Sequence, residues 1–285
     1  MSGKPLAIVR TIAALRAQVA AWRKAGERVA LIPTMGALHA GHLSLIALGR
    51  ERAERTVASI FVNPTQFAPH EDFEAYPREE SKDIARLTEA GCDLLFTPSV
   101  GEMYAPGFST SITVEGVSAP MDGAARPHHF GGVATIVAKL LIQCGPDVAI
   151  FGEKDYQQLQ VIRRLAKDLD LPVEIVGGAT VRGPDGLALS SRNAYLSAAE
   201  HVTAAKLNQI LKAAIERLHA GATVSDVEAE GLKALEGAGF SPVDYLEVRD
   251  PDDLSRLGPG PLAGPGRILA AAKIGRTRLI DNMAV

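Results

Sequence analysis

The sequence has few cysteines and no large excess of charge of either sign. Only Cys92 and Cys144 occur among its 285 residues, and no cysteine–histidine spacing fits a zinc site. Each thiol stands shortly before an apolar run, so we expect two buried free thiols at strand starts, in a protein of a reducing compartment. The net charge of −3 provides no electrostatic basis for a nucleic-acid or anionic-membrane partner.

Long apolar runs are absent as well. Residues 133–144 are interrupted by Lys139 and fall short of the roughly 20 residues that a membrane-spanning helix needs. The N-terminus has no secretory pattern. Instead, Thr11 can cap a helix whose core-facing stripe consists of Ile12, Leu15, Val19 and Trp22. We therefore expect a cytoplasmic protein that has no membrane partner.

What is present is enough apolar sequence to form a core: 47% of the residues are apolar and 22% are charged. Up to about residue 180, short apolar segments alternate with amphipathic ones. This alternation predicts an α/β fold, a Rossmann-like doubly wound parallel sheet with helices on both faces. In such sheets ligands bind beyond the carboxyl ends of the strands. The predicted strands are 29–32, 57–62, 94–96, 148–151 and 173–176.

The pattern changes after about Arg192. Two helices are predicted at 198–220 and 224–238, followed by three short strands at 245–248, 268–274 and 278–280. Consecutive helices followed by consecutive strands predict a smaller C-terminal α+β domain. We therefore expect one domain at residues 1–182 and a second at 183–285.

The segment after the first predicted buried strand carries two histidines and two glycines, Pro33-Thr34-Met35-Gly36-Ala37-Leu38-His39-Ala40-Gly41-His42. The sequence has no P-loop motif, so a phosphate site has to be built in another way. His39 and His42 are three residues apart, which places them on the same side of a helix start. A helix N-terminus offers unpaired N–H groups to an anion. We therefore predict a phosphate-binding segment; the alternative is a capped helix with surface histidines.

Two amide side chains, Asn63 and Gln66, follow the strand at 57–62. At the end of a buried strand they could bind a substrate hydroxyl or carboxylate. The alternative for this segment, taken alone, is an ordinary Asn-Pro turn.

Two later segments add positive charge and hydroxyl groups. Lys154 follows the strand at 148–151, and the next residue, Asp155, can cap the following helix. Ser190, Ser191 and Arg192 lie between the two expected domains and form a short phosphate-binding set. The alternatives are a capped helix with solvated charges and a simple domain linker.

In this order the segments resemble the pantothenate synthetase family, and the resemblance covers essentially the whole chain, including residues 126–130. The His-x-Gly-His pattern is similar to the signature of the wider superfamily of cytidylyltransferase-like adenylate-forming nucleotidyltransferases and class I aminoacyl-tRNA synthetases. Leu189 stands where many family members have methionine. Arg192 stands where a lysine is common in the second signature loop of the superfamily.

The resemblance implies an ATP-dependent condensation of (R)-pantoate with β-alanine. The products would be pantothenate, AMP and pyrophosphate, and the intermediate would be pantoyl-adenylate. It also implies a homodimer. ATP-dependent adenylation normally uses Mg²⁺, and the net charge of −3 argues against a nucleic-acid partner. Residues 1–182 would bind ATP and pantoate, and residues 183–285 would cover the active site.

The resemblance also assigns residues. The expected catalytic residues act on the phosphates, with His42 as proton donor; they are His39, His42, Lys154, Ser190, Ser191 and Arg192. The expected ATP-binding residues are Met35, Gly36, Ala37, Leu38, His39, Ala40, Gly41, His42, Gly152, Glu153, Lys154, Asp155, Val181, Leu189, Ser190, Ser191 and Arg192. The expected substrate-binding residues are Asn63, Gln66 and Gln158, with Gln66 also facing β-alanine. The resemblance does not supply the metal ligands. Because ATP-dependent adenylation normally uses magnesium and the sequence shows no dedicated set of ligands, a weak site is expected, with Asp83 as its one acidic ligand.

Two other functions stay open at this point. A different nucleotidyltransferase would transfer AMP or CMP to a phosphate ester, but Asn63, Gln66 and Gln158 suit hydroxyl groups better than a second phosphate. A nucleotide-sensing or RNA-binding module would not need the complete set of histidine, lysine and serine groups, and the sequence shows no basic arm.

Overall fold

The computed structural model describes residues 6–68 and 73–285. The described residues cluster into two units. The first unit consists of residues within Met1–Val114, Arg126–Glu153 and Val161–Ala179, and the second of Glu115–Ala125, Lys154–Gln160 and Thr180–Val285. The expected division of function between residues 1–182 and 183–285 stays a prediction.

A six-stranded parallel sheet forms the centre of the first unit, with the strand order β1-β4-β3-β2-β5-β6. Most residues of its central strands are buried because helices cover them. The predicted fold class is confirmed. The strands are β1 Ala7–Val9, β2 Val29–Thr34, β3 Arg55–Ile60, β4 Leu94–Phe96, β5 Val148–Gly152 and β6 Glu174–Gly178.

Helices connect these strands. The first, α1, begins after Thr11, whose hydroxyl accepts the Ala14 N–H at 3.2 Å, as predicted. The apolar stripe of α1 is buried at Leu15, Val19 and Trp22. The helices from α1 to α7 are α1 Ile12–Lys24, α2 Ala40–Arg52, α3 Glu80–Glu89, α4 Val100–Met103, α5 Asp122–Ala125, α6 His129–Cys144 and α7 Tyr156–Asp168.

The strand order places a topological switch point between β2 and β5. From β2 the chain continues to β3 and β4 on one side, whereas β5 and β6 lie on the other side. Ligands of open parallel sheets bind at the carboxyl ends of the strands at such a point. The segment that carries the two histidines starts at the end of β2, which is a central strand of this switch.

Close packing fixes α2 against the sheet. Leu45 and Ile46 of α2 are buried, and the lack of a side chain at Gly49 of α2 lets the Ile32 side chain approach. A Cβ atom on Gly178 of β6 would overlap the side chain of Leu45. Small residues at these contacts set the height of α2 above the sheet and therefore the position of its N-terminus.

Two details of the first unit differ from expectation. Strand β1 was not predicted, because three residues at an edge of the sheet, paired only with β4, give too short a pattern. Both cysteines are buried free thiols as expected, but Cys144 is the last residue of α6 rather than part of a strand start.

The second unit contains the smaller α+β part that was predicted. Helices α8 Ala198–His219 and α9 Val224–Ala238 pack on a three-stranded antiparallel sheet with the order β7-β8-β9. Its strands are β7 Val243–Arg249, β8 Arg267–Ile274 and β9 Thr277–Ala284. Across both units, the described helices include none with the length and apolar character that crossing a bilayer requires.

Candidate active site

Two histidine side chains cap the start of α2. We call Met35–His42 the histidine loop. His39 is the N-cap residue, and its Nδ1 accepts the Gly41 N–H at 3.1 Å. Nδ1 of His42 accepts the His39 N–H at 3.2 Å. The ring centroids are 4.1 Å apart. The prediction that both histidines project to the same side of the helix start is confirmed.

These bonds determine which ring nitrogen carries the proton in the neutral imidazoles. A nitrogen that accepts a hydrogen bond has a lone pair and no hydrogen. Because Nδ1 is the acceptor in both rings, Nε2 carries the N–H in His39 and in His42. The first turn of α2 contains no acidic residue. The loop therefore combines two imidazole N–H donors with the positive end of a helix dipole, which suits an anion.

Helix α3 holds the middle of the histidine loop. The buried carboxylate of Asp83 accepts the N–H of Ala37 at 2.9 Å and that of Leu38 at 2.8 Å. One turn further along α3, the Arg86 guanidinium donates to the Leu38 carbonyl. Two side chains of one helix face thus hold the peptide groups on both sides of Leu38.

The backbone of the loop requires this support at two residues. φ is +84° at Gly36 and +51° at Ala37, a region that disfavours a Cβ atom. A Cβ on Gly36 would also lie 3.1 Å from Asp83 Oδ2 and 3.1 Å from the Ile60 side chain. The absence of a Cβ at Gly36 therefore permits this turn and lets the Asp83 carboxylate approach.

Asp83, the predicted metal ligand, is only 1% exposed, and each of its oxygens accepts a backbone N–H. Within residues 6–68 and 73–285, no group of three or more His, Cys, Asp or Glu side chains could hold a metal ion. Asp83 also occupies the N–H groups of Ala37 and Leu38, so an anion at this loop has to find other donors. A metal contact by Asp83 stays a prediction.

Asn63 lies in the turn that carries Gln66. Its side chain is 1% exposed and donates to the Gln66 side-chain oxygen at 3.2 Å and to the Gly132 carbonyl at 3.1 Å. Its oxygen accepts the Tyr104 hydroxyl at 2.7 Å. Burial raises the pKa of Tyr104, which therefore stays a donor at neutral pH. In this arrangement Asn63 supports Gln66, and a direct contact between Asn63 and a substrate stays a prediction.

Gln66 connects the ends of two neighbouring strands. Its side-chain amide donates to the Met35 sulfur at 3.1 Å. The ring nitrogen Nδ1 of His129 lies 3.1 Å from the Gln66 backbone oxygen, where it donates a hydrogen bond. The structure thus brings Gln66, predicted to contact pantoate, together with Met35 of the histidine loop.

The Lys154 turn, defined as the 3₁₀ turn Glu153–Asp155, directly follows β5. Lys154 Nζ lies 3.6 Å from Asp155 Oδ1, and the lysine side chain is 20% exposed. The Lys154 carbonyl accepts the side-chain amide of Asn282 at 2.9 Å. Asp155 was expected to cap the next helix, but it ends a 3₁₀ turn that runs directly into α7.

Adjacent glutamines at the start of α7 have opposite environments. Gln157 is 4% exposed; its amide donates to the Val117 and Pro120 carbonyls, at 2.9 and 2.7 Å, and accepts the Asp122 N–H at 3.1 Å. Gln158 is half-buried, and its amide has no hydrogen-bond partner within the described part of the chain. Of the two, Gln158 is therefore the one whose amide is available to a ligand, and its contact with pantoate stays a prediction.

The last predicted segment lies at the end of a short hairpin in the second unit. We call Leu189–Arg192 the serine loop. The Leu189 N–H donates to the Val181 carbonyl at 2.9 Å, and Arg182 pairs with Ala188. Two predicted ATP-binding positions, Val181 and Leu189, are thus joined by a backbone hydrogen bond.

The serine loop continues into a 3₁₀ turn, Ser191–Tyr195, that Ser190 caps by accepting the Arg192 N–H at 3.3 Å. At the tip of the hairpin, His201 lies 2.9 Å from Asp185. The Leu187 N–H lowers the pKa of Asp185, and His201 lowers it further. The carboxylate therefore stays charged at neutral pH and helps to fix the hairpin.

These contacts make two groups of the predicted site residues, one in each unit. The first unit brings together the histidine loop, Asn63, Gln66 and Asp83. In the second unit, Lys154 contacts Asn282 of β9, and Arg182 of the Val181–Leu189 hairpin contacts Asn282 and its neighbour Asp281.

Comparison with known proteins identifies the family. The sequence profile of the family described as pantoate-beta-alanine ligase matches residues 7–284. The chain belongs to the pantoate–β-alanine ligase family. Its relatives include the pantothenate synthetase of Caulobacter vibrioides, 62% identical over 279 residues, which are 98% of this chain and 98% of that protein. The pantothenate synthetase of Paramagnetospirillum magneticum is 58% identical over 98% of this chain and 97% of that protein. The predicted family is confirmed.

Solved structures agree with the pantoate–β-alanine ligase assignment. The crystal structure of pantothenate synthetase from Thermus thermophilus has a TM-score of 0.91 at 46% identity, covering 98% of this chain and 99% of that one. The pantoate-beta-alanine ligase from Francisella tularensis has a TM-score of 0.82 at 33% identity, covering 98% and 97%. That structure is a complex with beta-gamma ATP and β-alanine.

Several residues that support the site of this ligase were not found from the sequence. Arg86 could have been suspected, because its spacing from Asp83 places both on one helix face. Tyr104, Asp281 and Asn282 offered no such signal, since each contacts the site from a distant part of the chain.

Proposed function

We propose that this chain is an ATP-dependent ligase that condenses (R)-pantoate with β-alanine to give pantothenate, AMP and pyrophosphate. The observation that carries the proposal is the match to pantothenate synthetases along essentially the whole chain. The Francisella relative in complex with beta-gamma ATP and β-alanine supports ATP and β-alanine as substrates. The arrangement of the histidine loop supports the phosphate chemistry.

In the first step, an oxygen of the pantoate carboxylate attacks the α-phosphorus of ATP. A new carboxyl oxygen–phosphorus bond forms, the bond from the α-phosphorus to the bridging oxygen breaks, and pyrophosphate leaves with the electron pair. The intermediate is pantoyl-adenylate. Negative charge grows on the departing pyrophosphate, so the protein has to orient the reactants and stabilise that charge.

The residues proposed to stabilise the phosphates are His39, His42, Lys154, Ser190, Ser191 and Arg192. His39 and His42 supply the imidazole N–H groups whose position the α2 caps fix. The tautomer favours a hydrogen bond from Nε2 to a phosphate oxygen, which can strengthen as charge develops. Lys154 supplies a full positive charge directly after β5.

In the second step, the amine nitrogen of β-alanine attacks the acyl carbon. The amide bond forms, the carboxyl carbon–oxygen bond to AMP breaks, and AMP leaves with that oxygen and the electron pair. The attacking nitrogen loses a proton in the process. Gln66 is proposed to contact both pantoate and β-alanine, with Asn63 holding its side-chain oxygen.

Gln158 is proposed to read a pantoate hydroxyl. It is half-buried and has an amide that the described residues leave available, whereas its neighbour Gln157 is fully engaged. A neutral amide suits a hydroxyl group better than it suits a second phosphate, which favours a ligase over a related nucleotidyltransferase.

Magnesium is proposed to arrive with ATP. The described residues contain no group of acidic and histidine side chains that would hold it alone. They therefore fit an ion held chiefly by phosphate oxygens and water, which would neutralise charge on the triphosphate. From the family resemblance we also propose that the protein is cytoplasmic and forms a homodimer. Light scattering on the purified protein would test the dimer.

The product assay tests the proposed function. The protein is incubated with ATP, Mg²⁺ and pantoate, with and without β-alanine, and the products are identified by mass. We expect pantoyl-adenylate and pyrophosphate without β-alanine, and pantothenate and AMP with it. Transfer of a nucleotide to a phosphate ester, without an amide product, would support the related nucleotidyltransferase instead.

A further inference from the structure

The C-terminal strand β9 contacts the Lys154 turn through a buried asparagine. Asn282 is 3% exposed, and its side-chain NH₂ donates to the Lys154 carbonyl at 2.9 Å. Its side-chain oxygen accepts the Arg267 guanidinium at 2.7 Å. Because the oxygen is held by a cation, the amide cannot turn over, and the NH₂ group is kept toward Lys154.

The neighbouring strand β8 and the adjacent β9 residue Asp281 support this contact. Arg267 lies 3.8 Å above the ring centroid of Tyr156, the residue that follows the Lys154 turn. Asp281, next to Asn282, accepts two hydrogen bonds from Arg182, at 2.7 and 2.9 Å. The Asp281 side chain also accepts the Asn282 N–H at 2.8 Å. Buried charges paired in this way hold a fixed geometry.

We propose that Asn282 is a positioning residue for Lys154 in the adenylation step. The inference rests on the proposed function, in which Lys154 acts on the phosphates. A lysine side chain has many rotamers, so the position of its ammonium group depends on how firmly its backbone is held. Asn282 holds the peptide group that follows Lys154, and Arg267 holds Asn282. Displacement of a catalytic group by about 1 Å costs up to roughly a hundredfold in rate.

The decisive variant is Asn282→Asp. It preserves the shape of the side chain and an oxygen for Arg267, but it replaces the donor to Lys154 by an oxygen that repels the carbonyl. We expect the rate of pyrophosphate release to fall by about tenfold to a hundredfold, with little change in the pantoate KM. Asn282→Ala removes the donor without adding charge. It should also slow pyrophosphate release, with little change in the pantoate KM.

A double-mutant cycle separates a positioning role from a general loss of structure. Lys154→Ala should be slow by itself, and adding Asn282→Asp to it should slow pyrophosphate release by no more than about twofold, because the group that Asn282 positions is gone. The control is Asn208→Asp, a second buried asparagine of the same unit, whose amide contacts Met283 instead. This variant should release pyrophosphate at the wild-type rate at temperatures below its unfolding transition. Circular dichroism measures that transition.

Three results would overturn the inference. Wild-type rates in both Asn282 variants, with Lys154→Ala slow, would show that the contact is dispensable while leaving the proposed function intact. Effects that multiply in the double variant would show that Asn282 acts through something other than Lys154. A wild-type rate in Lys154→Ala would overturn the proposed role of Lys154 and the inference with it.

Discussion

The histidine loop and the Lys154 turn are held in place in different ways. The histidine loop is capped by its own side chains, His39 and His42, and clamped by Asp83 and Arg86 of the same unit. The backbone of the Lys154 turn is held by Asn282, 128 residues later in the sequence. Both precede helices, and both carry groups that are proposed to contact the phosphates. The difference shows that motif residues can be recognised from a short segment, whereas the residues that hold them in place can lie far away in the sequence.

Removing the functional groups themselves should have the largest effect and should be similar in the two regions. We expect His42→Ala and Lys154→Ala each to slow pyrophosphate release by roughly a hundredfold or more, the size of a lost preorganised transition-state donor. Rapid-quench measurement of pyrophosphate would check this. The exposed residues His219 and Lys167 provide matched alanine controls. Near-wild-type release in either site variant would remove that residue from the phosphate site.

Weakening the support of the histidine loop should have a smaller effect. Asp83→Asn places an NH₂ group opposite a backbone N–H, leaving one buried donor unpaired at a cost of about 1–3 kcal/mol. We expect roughly a tenfold slower adenylation at saturating ATP and Mg²⁺, and the Mg²⁺ requirement is measured by varying Mg²⁺ at saturating ATP.

The control for this variant is Asp93→Asn, because Asp93 also accepts a backbone N–H, that of Thr56, but lies away from the loop. It should lower the thermal stability and leave the rate nearly unchanged. A raised Mg²⁺ requirement in Asp83→Asn would assign Asp83 to the metal rather than to the loop.

Alanine substitution of the two adjacent glutamines of α7, in the second unit, should have different effects. We expect Gln158→Ala to raise the pantoate KM by about tenfold, the size of a lost polar contact of about 1–3 kcal/mol, with the ATP KM largely unchanged. Gln157→Ala should instead lower the stability, because three buried hydrogen bonds are lost. Equal shifts of the pantoate and ATP dependences in Gln158→Ala would mean that Gln158 does not read pantoate.

The fold could be predicted from the sequence because its signals are periodic and local. The strand at 29–32 and the helix at 224–238 were found from apolar spacing alone. Strand β1 was too short to give a pattern, and the engaged state of Asn63 depends on Tyr104, a long-range contact. In the same way, Lys154 can be recognised from the sequence, but no sequence pattern indicates its contact with Asn282.

The smallest expected effect is the binding of Mg²⁺ to the protein in the absence of nucleotide. Because the described residues offer no group of metal ligands, we expect calorimetry to detect little Mg²⁺ binding to the protein alone and clear binding once ATP is present. Tight binding without ATP would show that the protein has a metal site of its own.

Pantoate is proposed to be activated as an adenylate before the amide forms. The most direct measurement uses pantoate labelled with ¹⁸O in its carboxyl group, followed by mass spectrometry of the products. If pantoyl-adenylate is the intermediate, AMP acquires one labelled oxygen, since the carboxyl oxygen bonded to the α-phosphorus leaves with AMP when the amine attacks the acyl carbon. Label that appears in pyrophosphate or phosphate while AMP stays unlabelled would contradict it.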